Sequence, residues 1–379
     1  MIANKHINVF KKRCMLTRSK IYSIKILFSL LIISTGVLNA QSNIKCINIE
    51  EKIDPSVWNY LSEDIINSKI ILIGETHNVS PNNVIRNSLF MYLNKYHGIN
   101  NMLLEVGQSH AYLYNKYLET GDEKFLHANM PKSKKFGDRS IAVWKELYDH
   151  NLGLSEHERI KMIGLDFERE PPLSSSLLLL LEKDTLNINV KSIYEKIALR
   201  CDTIGFVMDN KTYVEWLRVE FEKFDFKKLS NSATIIDIVY NNSFHSNFYE
   251  RDNYMVENFK KYYSKNKSYF GQFGTMHTQL DNNETFAGML NSTDYNDKIL
   301  SINLHYENYH YVYGEKVKYS FVNDIGFFKR NTIRRNKRFF DSVSDCNNFI
   351  YKIEPKSENL SKLRDKCQYI IYMNDAGER

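Results

Sequence analysis

Ionisable side chains stand directly behind apolar runs at four places in the chain. Glu75 and His77 follow "KIILIG" (69–74), Glu105 follows "NMLL" (101–104), Asp166 and Glu168 close "RIKMIGLDFE" (159–168), and His277 follows "SYFGQFG" (268–274). A histidine flanked by carboxylates suits general-base activation of water, the imidazole taking the proton while a carboxylate orients the ring and stabilises the imidazolium. On this pattern His77 is the base, Glu75 or Glu105 the orienting acid, and His277 or Arg86 the group that steadies a developing oxyanion. The sequence holds no Gly-x-Ser-x-Gly elbow, and no serine or cysteine is placed as a nucleophile. Glu75, His77, Glu105 and His277 are also a set that suits Zn²⁺, Mn²⁺ or Fe²⁺. No HExxH motif or paired-His helix pre-positions two of them, so catalysis without a metal is the expectation.

The elements that must position these groups alternate. The near-continuous apolar runs at 69–74, 101–107, 159–168, 268–274 and 298–306 predict buried strands. The stretch from Asn82 predicts a helix with Val84 or Ile85, Leu89, Leu93 and Tyr96 on its apolar stripe and Gly98 as its stop, and 109–121 predicts a second helix stopped by Gly121. Strand–helix–strand order implies an α/β fold, a mostly parallel central sheet with flanking helices. A helical insertion lobe is expected at about 175–263, where Leu177–Leu181 form core rather than a membrane span. In an open parallel sheet ligands bind beyond the carboxyl ends of the strands, the rim to which all four ionisable clusters belong. A single carboxylate there can equally cap the next helix. Within "RDNYMVENFKKYY", Arg251, Met255, Asn258 and Tyr262 fall on one helix face, so a cation shares an apolar stripe. Arg86, Asp166 and Arg251 are candidate substrate contacts, and Arg251 is favoured instead to close an interior ion pair with Asp166 or Glu168.

The first 40 residues read as an export signal. Lys5, Lys11, Lys12, Arg13, Arg18, Lys20 and Lys25 precede the apolar run Ile26–Leu38, with no acid among them and Ala40 at the expected cut. A single domain spanning 41–379 would then be periplasmic or secreted, without a stable membrane anchor. Removing the seven leader cations from 51 Lys and Arg leaves 44 against 45 Asp and Glu, so the overall +6 belongs to the leader. Apart from "KRNTIRRNKR" at 329–338 there is no dense cationic segment, which argues against a nucleic-acid partner and for a small-molecule substrate. The cysteines beyond the leader, Cys46, Cys201, Cys346 and Cys367, allow three pairings, of which Cys346–Cys367, bracketing one segment, is a candidate.

The blocks "ILIGETHN", "MLLEVGQSHAYLYNKYLETGD", "IKMIGLDFE", "RDNYMVENF" and "FGTMH" resemble, in this order, the motifs of the erythromycin esterase-like family. That family lies in a wider superfamily with ChaN-type haem-binding lipoproteins and Tiki/TraB-type proteins. The resemblance spans about residues 69–280. It implies a hydrolase site of Glu75, His77, Glu105 and His277, with Arg86 matching a family arginine nine residues beyond the histidine. It also keeps open a haem- or metal-binding protein of ChaN type, with which 25 Tyr and 11 His accord, and a metal-dependent hydrolase of the Tiki type.

Overall fold

The computed structural model describes residues 43–374 except 50–51, 80, 130–137, 170, 204–209, 242–249, 297, 308, 311–315, 318–338, 341, 343 and 355–359. The leader, the basic run at 329–338 and the side chain of Cys201 lie outside the described residues. Ten strands are described: β1 (Ile44–Cys46), β2 (Ile70–Glu75), β3 (Asn101–Leu104), β4 (Lys161–Gly164), β5 (Tyr269–Gly274), β6 (Ile299–Glu307), β7 (Tyr309–His310), β8 (Lys316–Val317), β9 (Asn348–Lys352) and β10 (Tyr369–Asn374). β7 and β8 form a small ribbon of their own, and the other eight make one sheet in the order β1-β9-β10-β6-β2-β5-β3-β4. The strands from β10 to β4 pair in parallel, while β9 and β1 close one edge antiparallel. The fold is α/β.

The principal helices are α1 (Asn82–His97), α2 (Gln108–Thr120), α3 (Asp138–Leu152), α4 (Pro172–Leu181), α5 (Ile188–Thr203), α6 (Asn210–Glu222), α7 (Arg251–Tyr262) and α8 (Phe286–Asn291). The glycine stops stand where expected: Gly98 (φ 65°) ends α1 and Gly121 (φ 72°) ends α2 in the left-handed conformation, their N–H groups closing the last turns. Alternation along β2 explains why the sheet needs two helical layers. Ile71 and Ile73 pack with Ile85, Leu89 and Leu93 of α1, whereas Ile70 and Leu72 pack with Met255 and Phe259 of α7 and Phe286 of α8. Tyr96 is 57% exposed and leaves the α1 stripe.

The lobe is narrower than its sequence suggests. Leu177 and Leu181 of α4, Ile193 and Ile197 of α5, and Leu217 and Phe221 of α6 share a separate core with Ile235 and Ile238. α7 belongs to the sheet instead, because Met255, Val256 and Phe259 bury against the strands. Among the described residues no helix is long and apolar enough to cross a membrane. The disulfide also departs from the candidate pairing: Cys46 bonds Cys346, fastening β1 beside β9, and Cys367 is a fully buried free thiol whose pKa burial pushes up to about 12. Antiparallel pairing of Cys46 with Phe349 brings Cys46 within reach of Cys346, whereas Cys367 turns into the core beside Leu363.

Candidate active site

The site begins where β2 ends. A Cβ at Gly74 would stand 2.2 Å from Thr278 Oγ1 and 2.5 Å from Asn303 Oδ1, so only glycine lets the strand run this close to its neighbours. The following turn passes through Asn78 in the left-handed region (φ 64°), and His77 folds back until its Nδ1 lies 2.6 Å from Glu75 Oε1. Asn82, on the first turn of α1, donates to the other Glu75 oxygen and to Thr76 O at 2.7 Å. Tyr306 of β6 donates to Asn82 Oδ1 at 2.5 Å and accepts from Thr76 N at 3.3 Å. With Nδ1 fixed on Glu75, Nε2 is the nitrogen free for chemistry, and the His77 side chain is 59% exposed.

Glu105, one residue past β3, is where the other groups meet. Its Oε2 accepts from Gly274 N at 2.7 Å. Its Oε1 lies 2.6 Å from Arg251 Nη2, 3.4 Å from His277 Nε2 and 3.6 Å from His77 Nε2. A Cβ at Gly274 would come within 3.1 Å of His77 Nε2, so this glycine keeps the space beside the reactive nitrogen open. His277 sits on the 3-10 turn after β5, its Nδ1 held at 2.7 Å by Asp252 Oδ1, which also accepts from Phe286 N at 2.6 Å and so ties α7 to α8. Arg251 spans the buried side: Nε reaches both Asp166 oxygens at 3.0 Å, Nη2 also binds Asp166, and Nη1 lies 3.4 Å from His277 Nε2.

Electrostatics follow from this crowding of carboxylates. The carboxylates of Glu105 and Glu75 beside the ring raise the His77 pKa to about 10, against a smaller opposing effect of burial. Burial pulls the His277 pKa down, but Asp252 and Glu105 together overcome it and leave it at about 9. Burial would raise Glu105, yet His277, His77 and Arg251 hold it well below the usual carboxylate range. Arg251 is raised despite burial by Asp166 and Glu105. Both imidazoles therefore rest protonated near neutral pH.

Of the candidate residues, Glu75, His77, Glu105, His277, Arg251 and Asp166 converge. The interior pair of Arg251 is with Asp166 and Glu105, and Asp166 is 1% exposed with its oxygens engaged. Glu168 does not join the cluster. It accepts from Ser109 N at 2.8 Å and from the Ser109 hydroxyl, capping α2, and burial pushes its pKa up to about 8. Arg86 lies one turn beyond Asn82 along α1 and meets none of these carboxylates within ion-pair distance. Three contributors are not evident from sequence: Asp252, Asn82 and Tyr306. Asp252 had a signal, since it neighbours Arg251 on a helix already bearing an unusual charge.

The four candidate metal ligands are engaged with one another, with Asp252 and with Arg251 in this arrangement. Arg251 Nη2 already engages Glu105 Oε1, the oxygen that both imidazole Nε2 atoms face, while the carboxylates on the two Nδ1 atoms are an arrangement that metal-binding histidines share. Among the described residues no three His, Cys, Asp or Glu side chains are grouped to hold a metal.

No family model and no curated protein matches the chain by sequence. Solved structures do match in fold. A succinoglycan biosynthesis protein aligns with a TM-score of 0.59 at 15% identity, over 90% of this chain and 96% of its own. The erythromycin esterase EreC, in its open conformation, aligns with a TM-score of 0.57 at 14% identity, over 88% of this chain and 98% of its own. ChaN of Campylobacter jejuni, with cofacial haem bound, aligns at 14% identity over 65% of this chain and 85% of its own, with a TM-score of only 0.32. At these identities the likeness is one of fold: the chain has an erythromycin esterase-like architecture.

Proposed function

We propose that the protein is a hydrolase that activates water at His77 against an ester, lactone or related small substrate. The observation that carries this is the convergence of two carboxylate–imidazole pairs, Glu75–His77 and Asp252–His277, on Glu105, with only the first open to solvent. His77 Nε2 lies 3.6 Å from Glu105 Oε1 on a ring that is open to solvent, so an attacking water reaches it from the exposed side. A substrate lying over the exposed ring removes solvent that helps stabilise the imidazolium, which lowers the His77 pKa toward that of a working base. Glu75 then orients the ring and balances the charge His77 gains. Similarity of fold to an erythromycin esterase supports the hydrolytic assignment without naming the substrate.

Export belongs to the same proposal: residues 1–40 are removed, and the protein works in the periplasm or outside the cell. The Cys46–Cys346 disulfide suits an oxidising compartment. Intact mass of the protein from its native envelope tests this, with a chain starting near Gln41 expected and a retained leader contradicting it. The activity is tested with a panel of chromogenic esters and lactones, assayed for wild type and His77→Ala beside a haemin titration. Turnover lost in the variant supports the hydrolase. A stoichiometric Soret band with no turnover on any substrate overturns it in favour of haem binding.

A further inference from the structure

Arg86 is 8% exposed, and burial lowers its pKa. Such a cation is ordinarily matched by a carboxylate, as Arg251 is by Asp166 and Glu105, because an unmatched buried charge is costly. Arg86 has no such match. Its Nε and Nη2 both donate to the amide oxygen of Asn87 at 3.1 Å, and its guanidinium stands 5.5 Å from the Trp144 ring. Asn87 is neutral, and its Nδ2 donates to Val143 O at 2.8 Å, which turns Oδ1 toward the guanidinium. Arg86 is thus anchored without being neutralised, and among the described residues its Nη1 edge meets no protein acceptor. Trp144 is itself held by a stack with Tyr114, centroids 4.0 Å apart. The nearby acidic groups are the Tyr114 phenol, which burial keeps neutral, Glu146, whose Oε2 accepts from Asn87 Nδ2 at 3.4 Å, and Glu75, whose oxygens are taken by His77 and Asn82; none makes an ion pair with Arg86.

We propose that Arg86 is an anion-binding residue beside the site, and that the substrate carries an oxyanion group, a carboxylate or a phosphate, which Arg86 receives through its Nη1 edge. Asn82, which braces Glu75, and Arg86 are four residues apart on α1, so they share one helix face and Arg86 stands one turn from the residue that holds Glu75. A guanidinium fixed in advance and lacking a counter-charge gains on binding an anion both the Coulomb attraction and a charge-assisted hydrogen bond. The inference rests on the hydrolase assignment only in taking the anion to be part of the substrate.

The test is calorimetric titration of the full mature chain with inorganic phosphate and, separately, with acetate, at ionic strength held constant by sodium chloride. Saturable binding of at least one probe is expected, weakened tenfold or more in Arg86→Met, partly restored in Arg86→Lys and unchanged in His77→Ala. Without anion, Arg86→Met should melt at or above the wild-type temperature, since the substitution removes an unmatched buried charge. No binding by wild type, undiminished binding by Arg86→Met, or an Arg86→Met protein that melts several degrees lower or fails to fold each overturns the proposal, the last by showing Arg86 to be a structural cation. A neutral and a carboxylate-bearing ester of the same alcohol separate the two assignments. Anion binding through Arg86 with neither ester hydrolysed removes the hydrolase and leaves the anion site. Hydrolysis of both with equal kcat/KM removes the substrate anion and leaves the hydrolase.

Discussion

His77 and His277 have nearly the same neighbours and opposite surroundings. Each carries a carboxylate on Nδ1, at 2.6 and 2.7 Å, and each turns Nε2 toward Glu105, at 3.6 and 3.4 Å. The His77 side chain is 59% exposed on a left-handed turn braced by Asn82 and Tyr306, whereas that of His277 is 7% exposed beneath α7 and α8. Chemistry alone does not tell two such imidazoles apart; access does. A group that meets substrate must reach solvent, while a buried imidazolium between acids holds a charge network together.

The sharpest separation of the two comes from removing each ring. His77→Ala should reduce turnover about 10²–10⁴-fold, the usual worth of a positioned base, with the melting temperature within a few degrees of wild type. His277→Ala should lose both activity and stability, by about 1–3 kcal/mol, because Asp252 and Glu105 each lose a buried cationic partner and keep Phe286 N and Arg251 Nη2, respectively, on the oxygens concerned. Parallel kcat and thermal-melt measurements decide it, and equal losses of stability in the two variants would break the distinction. Arg251→Ala extends the comparison to the buried side. Of their cations, Asp166 would keep only the exposed Arg169 at 3.5 Å and Glu105 only the two imidazoles, and a loss of about 3–5 kcal/mol in urea unfolding is expected. A loss below 1 kcal/mol would show that the network contributes little to folding.

Legibility in the sequence followed the same divide. The five central parallel strands announce themselves because burial on both faces demands unbroken apolar runs, and the rim residues Glu75, His77, Glu105, Asp166 and His277 follow from where those runs stop. β10 carries the same signature, Tyr369–Asn374, and Asp375 follows it, yet this strand is not among those expected from the sequence. β1, three residues long, has no period to read, and its disulfide partner lies 300 residues away. Asn82 and Tyr306 matter through one hydrogen bond across 224 residues, which spacing cannot reveal. Asp166 and Arg251 are candidate substrate contacts in the sequence, but the charge on the apolar stripe of α7 favours the interior ion pair that the two form. Their depth, at 1% and 7% exposure, depends on how α7 seats against the sheet, and that is a matter of packing.

The smallest expected effects concern pH, and here the two imidazoles should diverge in what they report. His77 can accept a proton only when neutral, and Glu105 and Glu75 raise its pKa to about 10, so activity should climb with pH well beyond the 6.5 of an ordinary histidine. Glu75→Gln removes one of the two stabilising charges and should move this limb toward lower pH by about one unit, even as the maximal rate falls with the loss of ring orientation. His277 leaves its mark on stability. Its folded pKa, about 9, lies above its unfolded value, so its contribution is fully present below pH 6.5 and is lost as pH rises through about 9. His77 has the same sign, but solvent screens its exposed ring and leaves it the lesser contributor. Urea unfolding of wild type should therefore weaken between pH 6.5 and 9, and His277→Gln should flatten that slope while Glu75→Gln barely alters it. A pH–rate limb that stays fixed in Glu75→Gln, or a stability slope that survives in His277→Gln, would show that the titrations belong to other groups and that exposure had not divided the two roles.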